Sequence, residues 1–249
     1  MKLGLEGKNA IVTGGSMGIG TAVALGLASE GCNVAINYRR HDAEANEVVR
    51  QIEALGRRGL AVKADVADFG DAQGMVDTVV AEFGSLDILV CNAGINRDGV
   101  IWKMSEEQWD TVISVNLKGY FNYNRAAAAV FVQQKHGKIV NISSINGLRG
   151  KFGQTNYAAS KGGEIAMSKS LARELGKFNV NVNVVAPGMV MTEMARSIPP
   201  EFLNKAVDET VLGRIAAPED CADVVVFLCS DRARHITGEV IQVDGGQYI

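Results

Sequence analysis

Three side chains in the middle of the chain have the chemistry to move a proton to or from an oxygen atom. Tyr157 and Lys161 stand four positions apart, and Ser144 precedes Tyr157 by thirteen residues. On a helix, side chains at positions i and i+4 share one face, with about 5–6 Å between their Cβ atoms. A free phenol has a pKa of about 10, and we expect the Lys161 cation to lower the pKa of Tyr157 by favouring the phenolate. With Ser144 holding a carbonyl oxygen, this set predicts ketone reduction or alcohol oxidation beside a bound hydride carrier.

A glycine-rich turn near the N-terminus predicts where such a carrier binds. Residues 10–13 have the character of a buried strand, the turn Gly-Gly-Ser-Met-Gly-Ile-Gly covers 14–20, and an apolar helical pattern follows. Strand, glycine turn and helix in this order present backbone N–H groups and the positive end of a helix dipole to a pyrophosphate. A turn of this kind alone can also be purely structural. Beside the catalytic pattern it predicts a dinucleotide site built from Gly14, Ser16, Met17, Gly18, Ile19 and Gly20.

The elements that must position these residues follow from the alternation of apolar and amphipathic stretches. Apolar strands are predicted at 9–13, 33–38, 60–64, 86–91, 137–143, 180–186 and 239–243, with helical stretches between most of them. This pattern predicts an α/β fold in which a parallel sheet of about seven strands is covered by helices on both faces. No linker or repeat interrupts the series, so we expect residues 1–249 to form a single dinucleotide-binding and catalytic domain.

These segments together resemble the short-chain dehydrogenase/reductase family over essentially the whole chain. The matching residues occur in the family's order and are Thr13 to Gly20, Asp65-Val66, Cys91-Asn92-Ala93-Gly94, Asn116, Ser144, Tyr157, Lys161 and Pro187-Gly188. The resemblance implies a Rossmann-type doubly wound sheet and an NAD(P)-dependent oxidoreductase. Within the family, residues 141–157 look most like 3-oxoacyl-carrier-protein reductases and acetoacetyl-CoA reductases.

The resemblance also implies roles for the matching residues. In addition to the glycine turn, Tyr157 and Lys161, the implied cofactor contacts are Asp65 and Val66 at the adenine, Asn92, Ala93 and Gly94 behind the adenosine ribose, and Pro187, Gly188, Val190 and Thr192 at the nicotinamide. The implied catalytic residues are Asn116, Ser144, Tyr157 and Lys161, with Asn116 holding a water that links Lys161 to solvent. The alternative for Asn116 is a cap or kink in a buried helix.

The end of the second predicted strand bears on the choice of cofactor. NAD-preferring enzymes usually place a carboxylate there to bind the ribose 2′-hydroxyl, whereas this chain has Tyr38 followed by Arg39. A guanidinium can bind a 2′-phosphate through two hydrogen bonds. NADP(H) is therefore the favoured cofactor, and NAD(H) is possible. The alternative interpretation of Arg39 is a solvated residue that begins a loop.

The substrate side of the predicted site is less well defined. The segment 189–212 is rich in Met and Pro and is predicted to fold over an acyl chain as a lid, the alternative being a short helical pair packed on the core. The substrate contacts we expect are Gln154, Met189 and Met194. Four basic residues are candidates to meet the phosphates of coenzyme A or an acidic carrier protein: Lys135, Arg149, Lys151 and Lys177.

Composition excludes several other classes of function. A net charge of −3 gives no electrostatic case for binding nucleic acid, and no apolar run is long enough to span a membrane or serve as a signal core. Four cysteines and three histidines are scattered without metal-ligand spacing, so no metal site is predicted. We expect a cytoplasmic enzyme. Small residues on the helix that begins near Tyr157 permit close helix packing, and the family resemblance implies that this helix builds a dimer face within a homotetramer. The alternative is that these residues pack within one subunit.

Three functions remain to be separated. The leading one is NADP(H)-dependent interconversion of 3-oxoacyl and 3-hydroxyacyl thioesters, on a carrier protein or coenzyme A, in fatty acid metabolism. The second is an NAD-dependent dehydrogenase of the same family that acts on 3-hydroxyacyl-CoA or another secondary alcohol. The third is a non-catalytic dinucleotide-sensing scaffold, and the presence of Tyr157 and Lys161 disfavours it.

Overall fold

A single parallel sheet forms the centre of the molecule. The structure, a computed structural model, describes residues 2–196 and 200–249, and the strands in this part are β1 (Asn9–Val12), β2 (Asn33–Tyr38), β3 (Gly59–Lys63), β4 (Ile88–Cys91), β5 (Gly137–Ile142), β6 (Val180–Pro187) and β7 (Val240–Val243). Their spatial order is β3-β2-β1-β4-β5-β6-β7, and every neighbouring pair is parallel. The predicted fold class is confirmed, with the strand ends shifted by one or two residues.

Helices cover both faces of this sheet. They are α1 (Gly18–Ser29), α2 (Asp42–Ala54), α3 (Phe69–Phe83), α4 (Glu106–Val112), α5 (Gly119–Gln134), α6 (Asn146–Arg149), α7 (Thr155–Leu175), α8 (Glu193–Arg196), α9 (Pro200–Asp208) and α10 (Pro218–Cys229). A π-helical segment, Ile113–Lys118, joins α4 to α5. One core cluster packs side chains of α1, α2 and α10 on the sheet, and a second packs those of α3, α5 and α7. Every residue of β1, β4 and β6 is buried, as expected for strands covered on both faces.

The strand order creates the crevice in which a ligand can bind. The chain leaves β1 for β2 on one side and later returns to β4 on the other, and such a reversal opens a crevice at the carboxyl ends of the two strands. Val12 pairs with Val90, and Val90 pairs with Val140. Because these strands end at the same level, the segments that follow β1, β4, β5 and β6 meet at one edge of the sheet.

The segment predicted as a lid is partly helical. Within 189–212 the structure contains α8 and α9, and residues 197–199 between them lie outside the described part of the chain. Among residues 2–196 and 200–249, no helix combines the length and the apolar character that crossing a bilayer requires.

Candidate active site

A cleft of about 1330 Å³ lies at the carboxyl edge of the sheet. Nearly all the dinucleotide contacts predicted from the sequence line it: Gly14, Ser16, Met17, Gly18, Ile19, Arg39, Asp65, Val66, Asn92, Ala93, Gly94, Tyr157, Lys161, Pro187, Gly188, Val190 and Thr192. Gly20 lies behind this lining rather than in it. A Cβ on Gly20 would come within 2.2 Å of the Gly14 carbonyl oxygen, so its role is to let the turn and the helix pack closely.

The turn after β1 has the properties of a phosphate cradle. Gly14 adopts φ +63°, which an L side chain rarely accepts, and its N–H donates to the Asn37 side-chain oxygen at 3.2 Å. Helix α1 then begins at Gly18 after Met17, whose side chain makes no capping hydrogen bond. The first turn of α1 contains no acidic residue. Its free N–H groups and positive dipole end therefore fit the pyrophosphate of a dinucleotide.

The adenosine end of the cleft has both a cation and a carboxylate. Arg39 follows β2, and its Nη1 lies 3.2 Å from Oδ2 of Asp65, the residue predicted to bind the adenine. Both side chains are substantially exposed, so this ion pair is weak and can open when a ligand binds. β2 ends at Tyr38 and contains no acidic residue, so the strand itself offers no carboxylate to a ribose. The Tyr38 hydroxyl donates to Asp42 at the start of α2.

The side chains predicted to be catalytic converge from the end of β5 and from α7. Ser144 follows β5, while Tyr157 and Lys161 lie on successive turns of α7, and all three line the cleft. The Lys161 Nζ lies 5.8 Å from the centre of the Tyr157 ring. Burial raises the pKa of the Tyr157 phenol, and the nearby Ser144 hydroxyl opposes part of that rise. The phenol of Tyr157 and the hydroxyl of Ser144 thus lie close together in the cleft.

Lys161 is held in a buried network that sequence reasoning did not foresee. Its Nζ donates to the Ile142 carbonyl oxygen at 2.8 Å and to Glu164 Oε1 at 2.8 Å, and it lies 3.4 Å from the Tyr120 hydroxyl. The side chain of Glu164 is fully buried. The sequence feature that could have revealed this contact is the spacing of Lys161 and Glu164, because a lysine and a carboxylate three residues apart lie on one face of a helix.

Burial, rather than Lys161, sets the net direction of the Tyr157 pKa, although Lys161 lowers that pKa as predicted. Burial disfavours the phenolate and raises the pKa of Tyr157, and the Glu164 charge raises it further. Lys161 and Ser144 act in the predicted sense, but they do not outweigh these effects. Tyr157 therefore favours its protonated form, as a proton donor requires.

Asn116 lies in the π-helical segment and does not line the cleft. Its side chain accepts a hydrogen bond from the Ile95 N–H at 2.9 Å, and donates to the Ile95 carbonyl at 2.9 Å and to the Ser160 hydroxyl at 3.1 Å. Asn116 thereby joins the loop after β4 to the helical turn that carries Lys161. Its predicted water-holding role stays a prediction.

The candidate substrate contacts divide into three cases. Gln154 lines the cleft and is held by Asp98, which accepts from its Nε2 at 2.9 Å, and by Asn146, which donates to its Oε1 at 3.0 Å. Met189 also lines the cleft. The side chain of Met194 lies outside the described residues.

The prediction that four basic residues lie near the mouth of the site is correct for two of them. Arg149 and Lys151 line the cleft. Lys135 and Lys177 do not, because they precede β5 and β6. The start of a parallel strand lies at the edge of the sheet opposite the cleft.

No metal centre is found in the part of the chain that the structure describes. All four cysteines, Cys32, Cys91, Cys221 and Cys229, are buried. Burial raises the pKa of each thiol, which keeps the sulfur protonated and unreactive. They are core residues.

Comparisons with known proteins agree with this geometry. Residues 14–247 match a protein-family model described as enoyl-(acyl carrier protein) reductase. The chain is 45% identical to the 3-oxoacyl-(acyl-carrier-protein) reductase FabG of Staphylococcus aureus (97% of this chain, 98% of the relative), and 42% identical to the protein of the same name from Thermotoga maritima (98% and 99%). A crystal structure of a protein from Sinorhizobium meliloti, described as a short-chain alcohol dehydrogenase, superposes with a TM-score of 0.95 at 35% identity, covering 99% of this chain and 98% of that one.

Proposed function

The chain belongs to the short-chain dehydrogenase/reductase family, and on that premise we propose that it reduces 3-oxoacyl thioesters with NADPH. It is an oxidoreductase that uses a nicotinamide dinucleotide and acts on a CH–OH or C=O group. The observation that supports the proposal most strongly is the convergence of Tyr157, Lys161 and Ser144 on one cleft with an uncapped helix N-terminus. The similarity to proteins named 3-oxoacyl-(acyl-carrier-protein) reductase supports the substrate class.

The chemistry assigned to each residue follows from where charge develops. The bound cofactor supplies or accepts the hydride. In the reductive direction negative charge builds on the ketone oxygen, and Tyr157 donates its proton to that oxygen while Ser144 donates a hydrogen bond. The Lys161 ammonium would stabilise the phenolate that remains and would bind the ribose of the cofactor. Because the Tyr157 pKa is raised, the residue carries its proton at neutral pH and suits the role of acid.

NADPH is favoured over NADH by the charges at the end of β2. Arg39 and Arg40 line the cleft there, and the side chain at the strand end itself is Tyr38 rather than a carboxylate. Binding of the 2′-phosphate would draw Arg39 away from Asp65, an exposed pair whose loss costs little. The freed carboxylate of Asp65 could then accept a hydrogen bond from the adenine amino group.

Replacing Arg39 by Ala should weaken NADPH binding and spare NADH. Charge-assisted hydrogen bonds contribute about 1.5–3 kcal/mol, so we expect the KM for NADPH to rise by about tenfold or more. The measurement is initial rates against each cofactor. Arg50→Ala is the matched control, because Arg50 is exposed on α2, pairs with Glu47 and does not line the cleft. Equal losses for both cofactors in Arg39→Ala would show that Arg39 does not bind the 2′-phosphate.

The mouth of the cleft suits an acyl thioester with a phosphate-bearing carrier. Phe152, Met189 and Phe202 give it an apolar side, and Arg149, Lys151 and Lys205 line it as cations. The apolar side chains would cover the acyl chain. The cations would meet the phosphates of coenzyme A or of a phosphopantetheine arm.

Initial rates with acetoacetyl-CoA, using NADPH and NADH side by side, test the proposal. We expect turnover that is faster with NADPH, and none with crotonyl-CoA, which offers a carbon–carbon double bond in place of the ketone. Turnover of crotonyl-CoA alone would instead support the activity named in the description of the family model. Oxidation of 3-hydroxybutyryl-CoA with NAD⁺, without ketone reduction by NADPH, would support the catabolic dehydrogenase.

Other features of the proposal await measurement. A homotetramer, a lid formed by 189–212, a single domain spanning 1–249 and a cytoplasmic location remain predictions. Sedimentation of the full-length chain measures the first of these directly.

A further inference from the structure

Glu164 is a buried carboxyl group to which the proposed function assigns no role. It lies on α7 one turn after Lys161, its exposure is 0%, and its Oε1 accepts a hydrogen bond from the Lys161 Nζ at 2.8 Å. Its Oε2 has no hydrogen-bond partner among the described residues. A buried carboxyl with one free oxygen is costly, so its position against the lysine of the active site calls for an explanation.

Among the described residues, Lys161 is the only cation that affects the pKa of Glu164. Tyr120 from α5 and Cys91 from β4 are affected by its charge, and both are buried groups whose own pKa is raised, so they stay neutral. The charge of Glu164 also acts on Tyr157, one turn before Lys161. The ionisation of Glu164 therefore acts on Lys161 and on Tyr157.

We propose that Glu164 is a positioning residue that acts on Tyr157 through Lys161, an inference that rests on the proposed function of these two residues. Glu164 fixes the ammonium group between itself and the Ile142 carbonyl. When ionised, it also offsets the positive charge that Tyr157 experiences. The phenol then retains its proton to a higher pH, which favours donation to a ketone over removal of a proton from an alcohol.

Glu164 can influence the ionisation of Tyr157 because Glu164 loses its proton at the lower pH of the two. Burial raises the pKa of Glu164 to about 8, with Lys161 opposing the rise. The Tyr157 pKa lies above the ordinary phenol value of 10. Glu164 is therefore already negative in the range where Tyr157 loses its proton, and a neutral side chain at position 164 should allow that loss at lower pH.

The test is a spectroscopic titration of Tyr157 in the full-length chain. Near-ultraviolet absorbance of tyrosinate is followed against pH, and the Tyr157→Phe form of each variant is subtracted so that Tyr157 alone is observed. An opposite charge close by commonly lowers a pKa by about 1–3 units, so freeing the Lys161 charge in Glu164→Gln should lower the apparent Tyr157 pKa by about one unit. Glu174→Gln, the same change at an exposed position of α7, should leave it unchanged.

Two further variants guard against a purely structural effect. Glu164→Asp keeps the charge and should titrate closer to the wild type than Glu164→Gln does. Glu164→Met is a second neutral variant in case Glu164→Gln does not fold, and it should shift the Tyr157 pKa in the same direction. Neither neutral substitution alters the Ile142 carbonyl, which accepts a hydrogen bond from Lys161 in the unsubstituted protein.

The outcomes separate this inference from the proposed function. Titration curves that coincide for the wild type and both neutral variants would overturn the role of Glu164, whatever the substrate. If acetoacetyl-CoA is turned over, the alkaline limb of the rate should move to lower pH together with the titration. A shifted titration in an enzyme that is inactive on acetoacetyl-CoA would overturn the substrate assignment and support the role of Glu164.

Discussion

Tyr157→Phe is expected to lose most of its turnover while it still binds the cofactor. The substitution removes one hydroxyl, and with it the proton donor for the ketone oxygen, without changing the ring that packs beside Lys161. A general acid contributes about 10²- to 10⁴-fold to a rate, so kcat should fall by that order. The measurement is steady-state kinetics with acetoacetyl-CoA, together with cofactor affinity from quenching of protein fluorescence.

The matched control for this variant is Tyr248→Phe. Tyr248 lies near the C-terminus, is partly exposed and does not line the cleft, so its hydroxyl has no part in the reaction. Its kcat should equal that of the wild type. Turnover of Tyr157→Phe within a few-fold of the wild type would contradict the assignment of Tyr157 as the proton donor.

Lys161→Met is expected to destabilise the fold strongly, in addition to removing activity. Above the Glu164 pKa of about 8, it leaves the carboxylate buried without its cationic partner, and breaking a buried ion pair from one side typically costs about 3–5 kcal/mol. Replacing both partners, as Lys161→Met with Glu164→Met, should restore much of that loss because no uncompensated charge remains. Urea unfolding of the wild type, both single variants and the double variant measures the coupling free energy.

The pH dependence of the same unfolding experiment has a defined sign. The pKa of Glu164 is raised from an ordinary 4.5 to about 8 in the folded protein. Its contribution to stability is therefore fully present below about pH 4.5 and is lost as the pH rises through about 8. In Lys161→Met the cation that lowers the Glu164 pKa is gone, so this loss of stability should occur at higher pH. In Glu164→Met the carboxyl is absent, and stability should show no such pH dependence. A free energy of unfolding for Lys161→Met equal to that of the wild type would show that the pair is not coupled.

The sequence predicted those parts of the site that depend on local spacing. Tyr157 and Lys161 share a face because they are four residues apart on a helix, and the turn from Gly14 to Gly20 lies where strand passes into helix. Each of these relations is contained within a few residues. Periodicity predicted the sheet for the same reason, since strands buried on both faces are continuous apolar runs.

The parts that failed depend on distant segments or on a balance of opposing effects. Lys177 is an error of a different kind, because it precedes β6 and the start of a strand in the predicted parallel sheet lies opposite the cleft. The hydrogen bond between Asn37 and Gly14 joins β2 to the turn after β1, two segments more than twenty residues apart. The net pKa of Tyr157 depends on burial outweighing a nearby cation, and burial is a property of the folded chain.

Transfer of deuterium from labelled cofactor to product is the measurement that tests the central claim most directly. NADPH carrying deuterium at both C4 positions is mixed with the enzyme and acetoacetyl-CoA, and the product is analysed by mass spectrometry. The account predicts 3-hydroxybutyryl-CoA with one deuterium at C3 and an unlabelled hydroxyl, because the hydride comes from the cofactor and the hydroxyl proton from Tyr157 and solvent. A 3-hydroxybutyryl-CoA product without deuterium at C3, or no product at all, would contradict it.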